Sequence, residues 1–371
     1  MEHNFTSAGY TIGIEEELMI VDAETLALTS GIEQLLTEGE GRVKPELMES
    51  VCEIATSPCR DVDEAGAELA ELRRHVCRRA EDHNLGIGSA GTHPFSKWED
   101  QRIAQRPRYR DLIESLRFVA RQELIFGMHV HIGLDDADKA IHVANGMRVH
   151  LPVLLALSAN SPFWQGTHTG LQSARTPIFR AFPRVGVPPA YRDWDDYEAR
   201  IGFMVDSGVM EDYTYLWYDV RPHPKLGTVE IRVCDSQTRV EHTLGLAAFI
   251  QAMVRELAEH FEAGATLSDY PWEMLDENKW LAARHGLSGD LIDLPARERV
   301  PSTELARRLL DRLIDHAQDL GAADHFEALE DVLARGNGAH RQRVVFEANH
   351  DLREVMAEIV AATTPAAPDP A

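Results

Sequence analysis

Four separated segments of this chain alternate apolar residues with acidic or imidazole side chains at a spacing of two, and this restricts what it can fold into. Side chains point to opposite faces along a β-strand, so residues two apart share a face. In Gly13-Ile14-Glu15-Glu16-Glu17, Glu15 and Glu17 share one face, while Ile12, Ile14, Leu18 and Ile20 share the other. Glu16 points to the apolar side and falls outside the expected site. In Glu49-Ser50-Val51-Cys52-Glu53 the two glutamates share a face. In Gly127-Met128-His129-Val130-His131-Ile132-Gly133 the histidines lie opposite Met128, Val130 and Ile132. In Thr228-Val229-Glu230-Ile231-Arg232-Val233, Glu230 and Arg232 lie opposite the three apolar residues.

A half-solvated sheet would explain any one of these segments, but the four together argue for a site. Joined in one sheet, they would bring Glu15, Glu17, Glu53 and Glu230 onto one surface. Carboxylates that close cannot all ionise without counter-charge. Hard divalent cations supply it: magnesium takes oxygen ligands and keeps positions for water and phosphates. An imidazole can add a nitrogen ligand; His131 on its own reads as a supporting residue.

The remaining signals bound the fold. Helical periodicity runs from Asp63 to about Asn84, with Asp61 or Asp63 as N-cap. Strands are expected at 10–21, 47–56, 86–89, 125–134, 213–220 and 228–235, with helices at 108–122, 138–159 (bent or broken by Pro152) and 195–205. Residues 160–195 read as a long ordered loop, a kind that is usually functional. From Val240 onward the pattern is helical at 240–262, 273–285, 302–319, 323–335 and 349–362. No repeat or linker divides the chain. The expectation is therefore one α+β domain over 1–364: a mainly antiparallel sheet with helices on one face (core about 10–240), a helical C-terminal region (about 240–364), and a disordered tail at 365–371.

Composition removes several function classes. The chain carries 61 acidic against 37 basic residues, a formal charge of −24, which repels nucleic acid and anionic membranes. No apolar run approaches the ~18 residues of a membrane span. The start lacks the basic and apolar regions of a signal peptide, and four cysteines without CxxC spacing fit a reducing cytoplasm. Cys52 and Cys234 read as packed thiols. There is no GxxxxGK[ST], and Gly86-Ile87-Gly88-Ser89-Ala90-Gly91 runs into Thr92-His93-Pro94 rather than a helix, so the dinucleotide fingerprint fails. Lysine is scarce, leaving phosphate or carboxylate contacts to arginine forks. Arg232, Arg175, Arg180 and Arg221 are the candidates.

Seven motifs make the chain resemble the type 2 glutamate–cysteine ligases, and within them the bacterial carboxylate–amine ligases: GIEEEL (13–18), ESVCEIAT (49–56), GTHPF (91–95), GMHVHIGL (127–134), LSANSPFWQGTHTGLQSAR (157–175), DVRPHPKLGTVEIRVCD (219–235) and WLAARHGL (280–287). The resemblance runs from about residue 10 to about 345. It implies a glutamine-synthetase-like sheet, ATP with two or three magnesium ions, and an acyl-phosphate intermediate. By position it implies metal ligation by Glu15, Glu17, Glu53, His129 and Glu230, with Glu46 as a further acidic position that needs a turn or bulge to reach them. Arg232 matches the arginine that stabilises the transferring phosphate, and Arg175, Arg221 and His131 are expected to bind substrate. L-Glutamate and an amine such as L-cysteine are the implied substrates, γ-glutamylcysteine the product, and a homodimer the implied assembly. The alternatives are a metal-dependent amidohydrolase using His129-Val130-His131, a non-catalytic ligand sensor, and a ligase for another amine such as ammonia.

Overall fold

The computed structural model describes residues 1–36 and 41–366. The expected tail at 365–371 falls almost wholly outside that range. Seven strands form the main sheet: β1 (Ile12–Asp22), β2 (Val43–Pro45), β3 (Val51–Ala55), β4 (Leu85–Gly88), β5 (Met128–Gly133), β6 (Val220–His223) and β7 (Thr228–Ile231). Their order is β6-β7-β5-β1-β3-β2, with β4 also paired to β1, and every pairing is antiparallel. β1 is the longest strand and the centre: β3 lies along one edge, while β5 and β4 share the other.

Helices cover the face carrying Ile12, Ile14, Leu18, Ile20, Val130 and Ile231, all buried in one core. Helix Val62–Glu81 begins at Asp61, whose side chain accepts the Glu64 amide. Such a cap contributes on the order of 1 kcal/mol. Helix Val240–Glu262 runs through the same core. Glu16 points into this layer. Arg73 of helix Val62–Glu81 grips it from Nε to Oε2 at 2.7 Å and from Nη2 to Oε1 at 2.8 Å, both side chains being fully buried. An acid on the apolar face is thus accommodated by a fork from the covering helix.

Several expected boundaries shift for local reasons. The helix expected at 138–159 is two, Ala137–Met147 and Leu151–Ser158, bent by 63°. Pro152 sits in the first turn of the second, where its missing N–H costs nothing. The helix expected at 108–122 breaks at Arg117, which has φ 52°. The strand expected at 213–220 is instead a 3₁₀ turn, Tyr213–Tyr215, a two-residue bridge, and β6, which folds back on β7 as a hairpin. Pro222 hid β6: it lacks the amide expected of a strand interior, but β6 is the sheet's edge, where that is tolerated. The hairpin Asp290–Pro301 and the helix Gly338–Asn349 are further elements that the periodicity missed.

Candidate active site

Register on the open face of the sheet sets out the site row by row. Glu15 of β1 lies opposite His129 of β5, and Glu17 opposite Glu53 of β3. Glu230 of β7 lies opposite both His131 of β5 and Arg221 of β6. Lys44 of β2 lies opposite Glu53. Opposed residues share a face, so these side chains all project to the side away from the helices. Glu46 joins them from the turn between β2 and β3, the turn that its position requires. The side chains of Glu15, Glu17, Glu46, Glu53, His129, His131, Arg175, Arg221, Glu230 and Arg232 line one cavity of about 290 Å³.

The carboxylates divide into two electrostatic classes. Burial opposes ionisation of Glu15, but His129 and His131, whose ring nitrogens lie 3.3 and 3.8 Å from Oε2, outweigh it and hold the carboxyl well below the ordinary range. Glu230 is also held well below, because Arg221 and Arg232 outweigh its burial. Arg221 Nε donates to Glu230 Oε2 at 2.6 Å, and Arg232 Nη1 donates to Oε1. Glu17, Glu46 and Glu53 go the other way. Burial raises all three; the Glu15 charge adds to it at Glu53 and, against Arg175 and Arg232, at Glu17, while Glu53 and Glu17 push Glu46 furthest. Lys44 Nζ donates to Glu53 Oε1 at 3.0 Å, and the Gly127 amide donates to Glu17 Oε2 at 2.5 Å. These do not offset three clustered acids, and this end of the cavity is short of positive charge.

Two details bear on metal binding. Glu15, His131 and Glu230 can each present a ligand atom within 4.8 Å of the others. The buried Nε2 of His131 has no hydrogen-bond partner among the described residues, while its Nδ1 lies 3.0 Å from Thr228 Oγ1. Nε2 is the ring atom turned toward Glu15 Oε2 and Glu230 Oε1, at 3.8 and 3.9 Å. Those charges outweigh burial and raise the His131 pKa, so a metal at Nε2 competes with a proton. His129 Nδ1 lies 3.3 Å from Glu15 Oε2 and 3.4 Å from Arg232 Nη1. Burial, reinforced by Arg232, lowers its pKa to about 4, so the ring is neutral and able to ligate. The donor set therefore fits hard divalent cations, with carboxylate oxygens in the majority and imidazole as a supplement.

The arginines differ in what they have left to offer. Arg221 uses its guanidinium on Glu230 and on the carbonyls of Thr214 and Leu216, at 3.0 and 2.5 Å. Arg175 and Arg232 each keep a buried Nε without a partner among the described residues. Arg180 lies outside the cavity, forked on Asp276. Glu49 also lies outside, in the turn before β3, where its carbonyl accepts the Gly31 and Ile32 amides.

Glu123 is a cavity residue that the alternation did not reveal. Burial first, then the Glu17 charge, raises its pKa to about 8. It stands beside an apolar run, but no second acid two residues away marks it. Tyr109, Tyr215, Trp217, Phe179 and Phe182 supply an aromatic wall.

Gly127 makes a testable contribution. A Cβ there would overlap Arg175 Nη2. Gly127→Ala should displace that guanidinium and lower turnover efficiency by about 10- to 100-fold, with little change in melting temperature. Steady-state rates and a thermal melt check this; activity within twofold of wild type would show that Arg175 need not stand there.

The chain resembles known proteins along nearly its whole length. The model for glutamate-cysteine ligase family 2 matches residues 11–361. A protein from Rubrobacter xylanophilus, provisionally named glutamate–cysteine ligase 2-1, is 43% identical over 370 residues, covering 99% of this chain and 98% of its own. One from Solibacter usitatus, provisionally named glutamate–cysteine ligase 2, is 40% identical over 351 residues, 93% and 91% of the two chains. Among solved structures, a glutamate–cysteine ligase from Francisella tularensis in complex with AMP superposes with a TM-score of 0.73 at 15% identity, over 98% of this chain and 89% of its own. A bifunctional glutathione synthetase from Pasteurella multocida gives 0.70 at 15%, over 96% and 52%. At that identity the two structures speak to the fold, which they share with the expected α+β sheet. The sequence matches speak to descent: this chain belongs to glutamate–cysteine ligase family 2.

Proposed function

We propose that this protein is an ATP-dependent ligase that joins a carboxylic acid to an amine through an acyl phosphate, with L-glutamate and L-cysteine as the first pair and γ-glutamylcysteine as product. The observation that carries the reading is the row of carboxylates on β3, β1 and β7, with the imidazoles of β5 among them, deficient in positive charge at one end and bordered by two arginines with unused donors. Glu15, Glu17, Glu46, Glu53 and Glu230, with His129 and His131, would hold two or three magnesium ions. Bound there, the ions would neutralise the phosphates of ATP. The acid's carboxylate attacks the γ-phosphorus in line, ADP leaves, and Arg232 offers its free donors to the equatorial oxygens. The amine then attacks the acyl carbon, loses a proton and expels phosphate. Arg175 faces the same space and is assigned to an anionic substrate group. Arg221 is assigned to holding Glu230 rather than to substrate.

The decisive assay is ADP release with magnesium and ATP, with L-glutamate and L-cysteine supplied separately and together, and the product identified by mass. Turnover requiring both, with γ-glutamylcysteine formed, supports the whole proposal. Turnover only with another acid or amine discards the named pair and keeps the chemistry. Hydrolysis of an amide without ATP would replace the ligase by the amidohydrolase.

Metal binding should depend on pH. The folded pKa values of Glu17, Glu46 and Glu53 are raised, so the metal-free fold binds these protons more tightly than the unfolded chain. That contribution is full below the unfolded carboxylate range and is lost as pH rises through the folded values. Magnesium replaces the protons, so its affinity should rise up to about tenfold per pH unit for each proton released. Thermal shifts with magnesium should therefore grow as pH rises from just above the ordinary carboxylate range toward 8; a shift that stays constant over that range would sink this account of the cluster.

A further inference from the structure

The loop that carries Arg175 is anchored on one buried carboxylate. Asp235 follows β7 and is fully buried. Its Oδ2 accepts the Asn160 amide at 2.8 Å and the Ser161 hydroxyl at 2.6 Å; its Oδ1 accepts the Ser173 hydroxyl at 2.9 Å. Arg175 Nη1 lies 3.9 Å from Oδ1. The Ser161 hydroxyl in turn accepts the Arg175 amide at 3.2 Å. Room for this carboxylate comes from Gly91, where a Cβ would sit 2.6 Å from Asp235 Cγ. The loop is braced from its other side by helix Trp272–His285. The Ala283 carbonyl accepts the Gln172 and Ser173 amides at 2.9 and 3.0 Å, and Arg284 donates to the Gly170 carbonyl. Thus the segments 91–95, 157–175 and 280–287, which supply no metal-binding group, meet at one anchor.

Arg175 itself is only lightly held by neutral groups. Its Nη1 and Nη2 reach the carbonyls of Val233 and Arg232 at 3.3 and 3.2 Å, and its guanidinium stands 5.7 Å from the Phe179 ring centroid. Asp235 is the one carboxylate within ion-pair distance of it among the described residues. Burial pushes the Asp235 carboxyl up, and Arg175 is the leading opposing influence. Three donors converge on this acid, and none of its oxygens is left for a ligand.

We infer that Asp235 is a positioning residue: it fixes the backbone and guanidinium of Arg175, and through Arg175 alone it sets how well the cavity binds the anionic group of its substrate. The inference rests on the ligase reading, and its two readouts, turnover and ATP affinity, separate its failure from the failure of that reading.

Asp235→Asn keeps the shape, removes the charge facing Arg175 and replaces one acceptor by a donor. The experiment is a double-mutant cycle of Asp235→Asn with Arg175→Ala in the full chain. It is read as kcat and KM for the acid substrate and, separately, as calorimetric ATP affinity with magnesium. Asp235→Asn alone should lower kcat/KM by about 10- to 100-fold. In the Arg175→Ala background it should cost about twofold or less, because the positioned group is already gone. Equal losses in both backgrounds, or no loss in the first, overturn the inference. If Asp235→Asn fails to fold, Ser173→Ala removes a single donor and should show the same non-additivity with a smaller loss. If the wild type turns over no acid–amine pair, the ligase reading fails, and the same cycle in ATP affinity still decides whether Asp235 acts through Arg175.

Discussion

Arg232→Ala should lower ATP-dependent turnover by about three orders of magnitude or more, while leaving the protein folded. The size follows from what the side chain is placed to do: an arginine on a transferring phosphoryl group contributes about 10³ to 10⁵ in rate. Folding should survive because Glu230 keeps a partner. Arg221 Nε holds its Oε2 at 2.6 Å, so removing Arg232 does not strand a buried carboxylate. The expected pattern is a collapse in kcat with a thermal midpoint close to wild type. Arg232→Lys should recover only part of the rate, because an ammonium keeps the charge and loses the fork. ADP release under saturating ATP measures both; a rate for Arg232→Ala within tenfold of wild type would remove Arg232 from the mechanism. Arg221→Ala should behave differently, losing stability as well as rate, because Arg221 also donates to the carbonyls of Thr214 and Leu216, which its loss leaves unpaired.

Much of this site was legible because strands have a period of two and the sheet is antiparallel. The alternation at Glu15/Glu17, His129/His131 and Glu230/Arg232 placed those residues on one face, and the registers of β1, β5 and β7 brought them together. Glu53 was reached in the same way; Glu49 was not, because the chain is still turning at that point. Glu46 arrives through that same turn, which no periodicity encodes. Arg175, Arg221 and Arg180 posed one problem with three outcomes: a cavity residue with an unused donor, a strut for Glu230, and a distant pair with Asp276. A guanidinium's partner is set by tertiary packing, so sequence alone marks all three equally. Glu123 and the aromatic wall were missed for a related reason: no spacing marks them, and only the fold brings Tyr109 of helix Pro107–Leu116, Phe179 and Trp217 to one cavity.

The apolar side of the sheet holds the second large effect. Arg73→Ala should destabilise the protein by about 3–5 kcal/mol. Arg73 and Glu16 are both wholly buried, and the pair carries further bonds: Arg73 donates to the carbonyls of Gln237 and Thr238 at 2.6 and 2.8 Å, and Thr243 donates to Glu16 Oε1 at 2.6 Å. A third carbonyl, that of Thr363 at the end of the last helix, lies 3.3 Å from Nη1. One guanidinium thus ties the central strand to helix Val62–Glu81, to the segment after β7 and to the C-terminal helix. Deleting it leaves a buried charge and several carbonyls unpaired, and an unpaired buried charge is the costly state. Breaking the pair differs from replacing it. Glu16→Leu combined with Arg73→Met removes both charges and fills the space, so it should recover most of the loss. Denaturant midpoints at constant slope measure the difference. If Arg73→Ala proves no less stable than the double variant, the pair is not what joins these elements, and the helices are held by apolar contact alone.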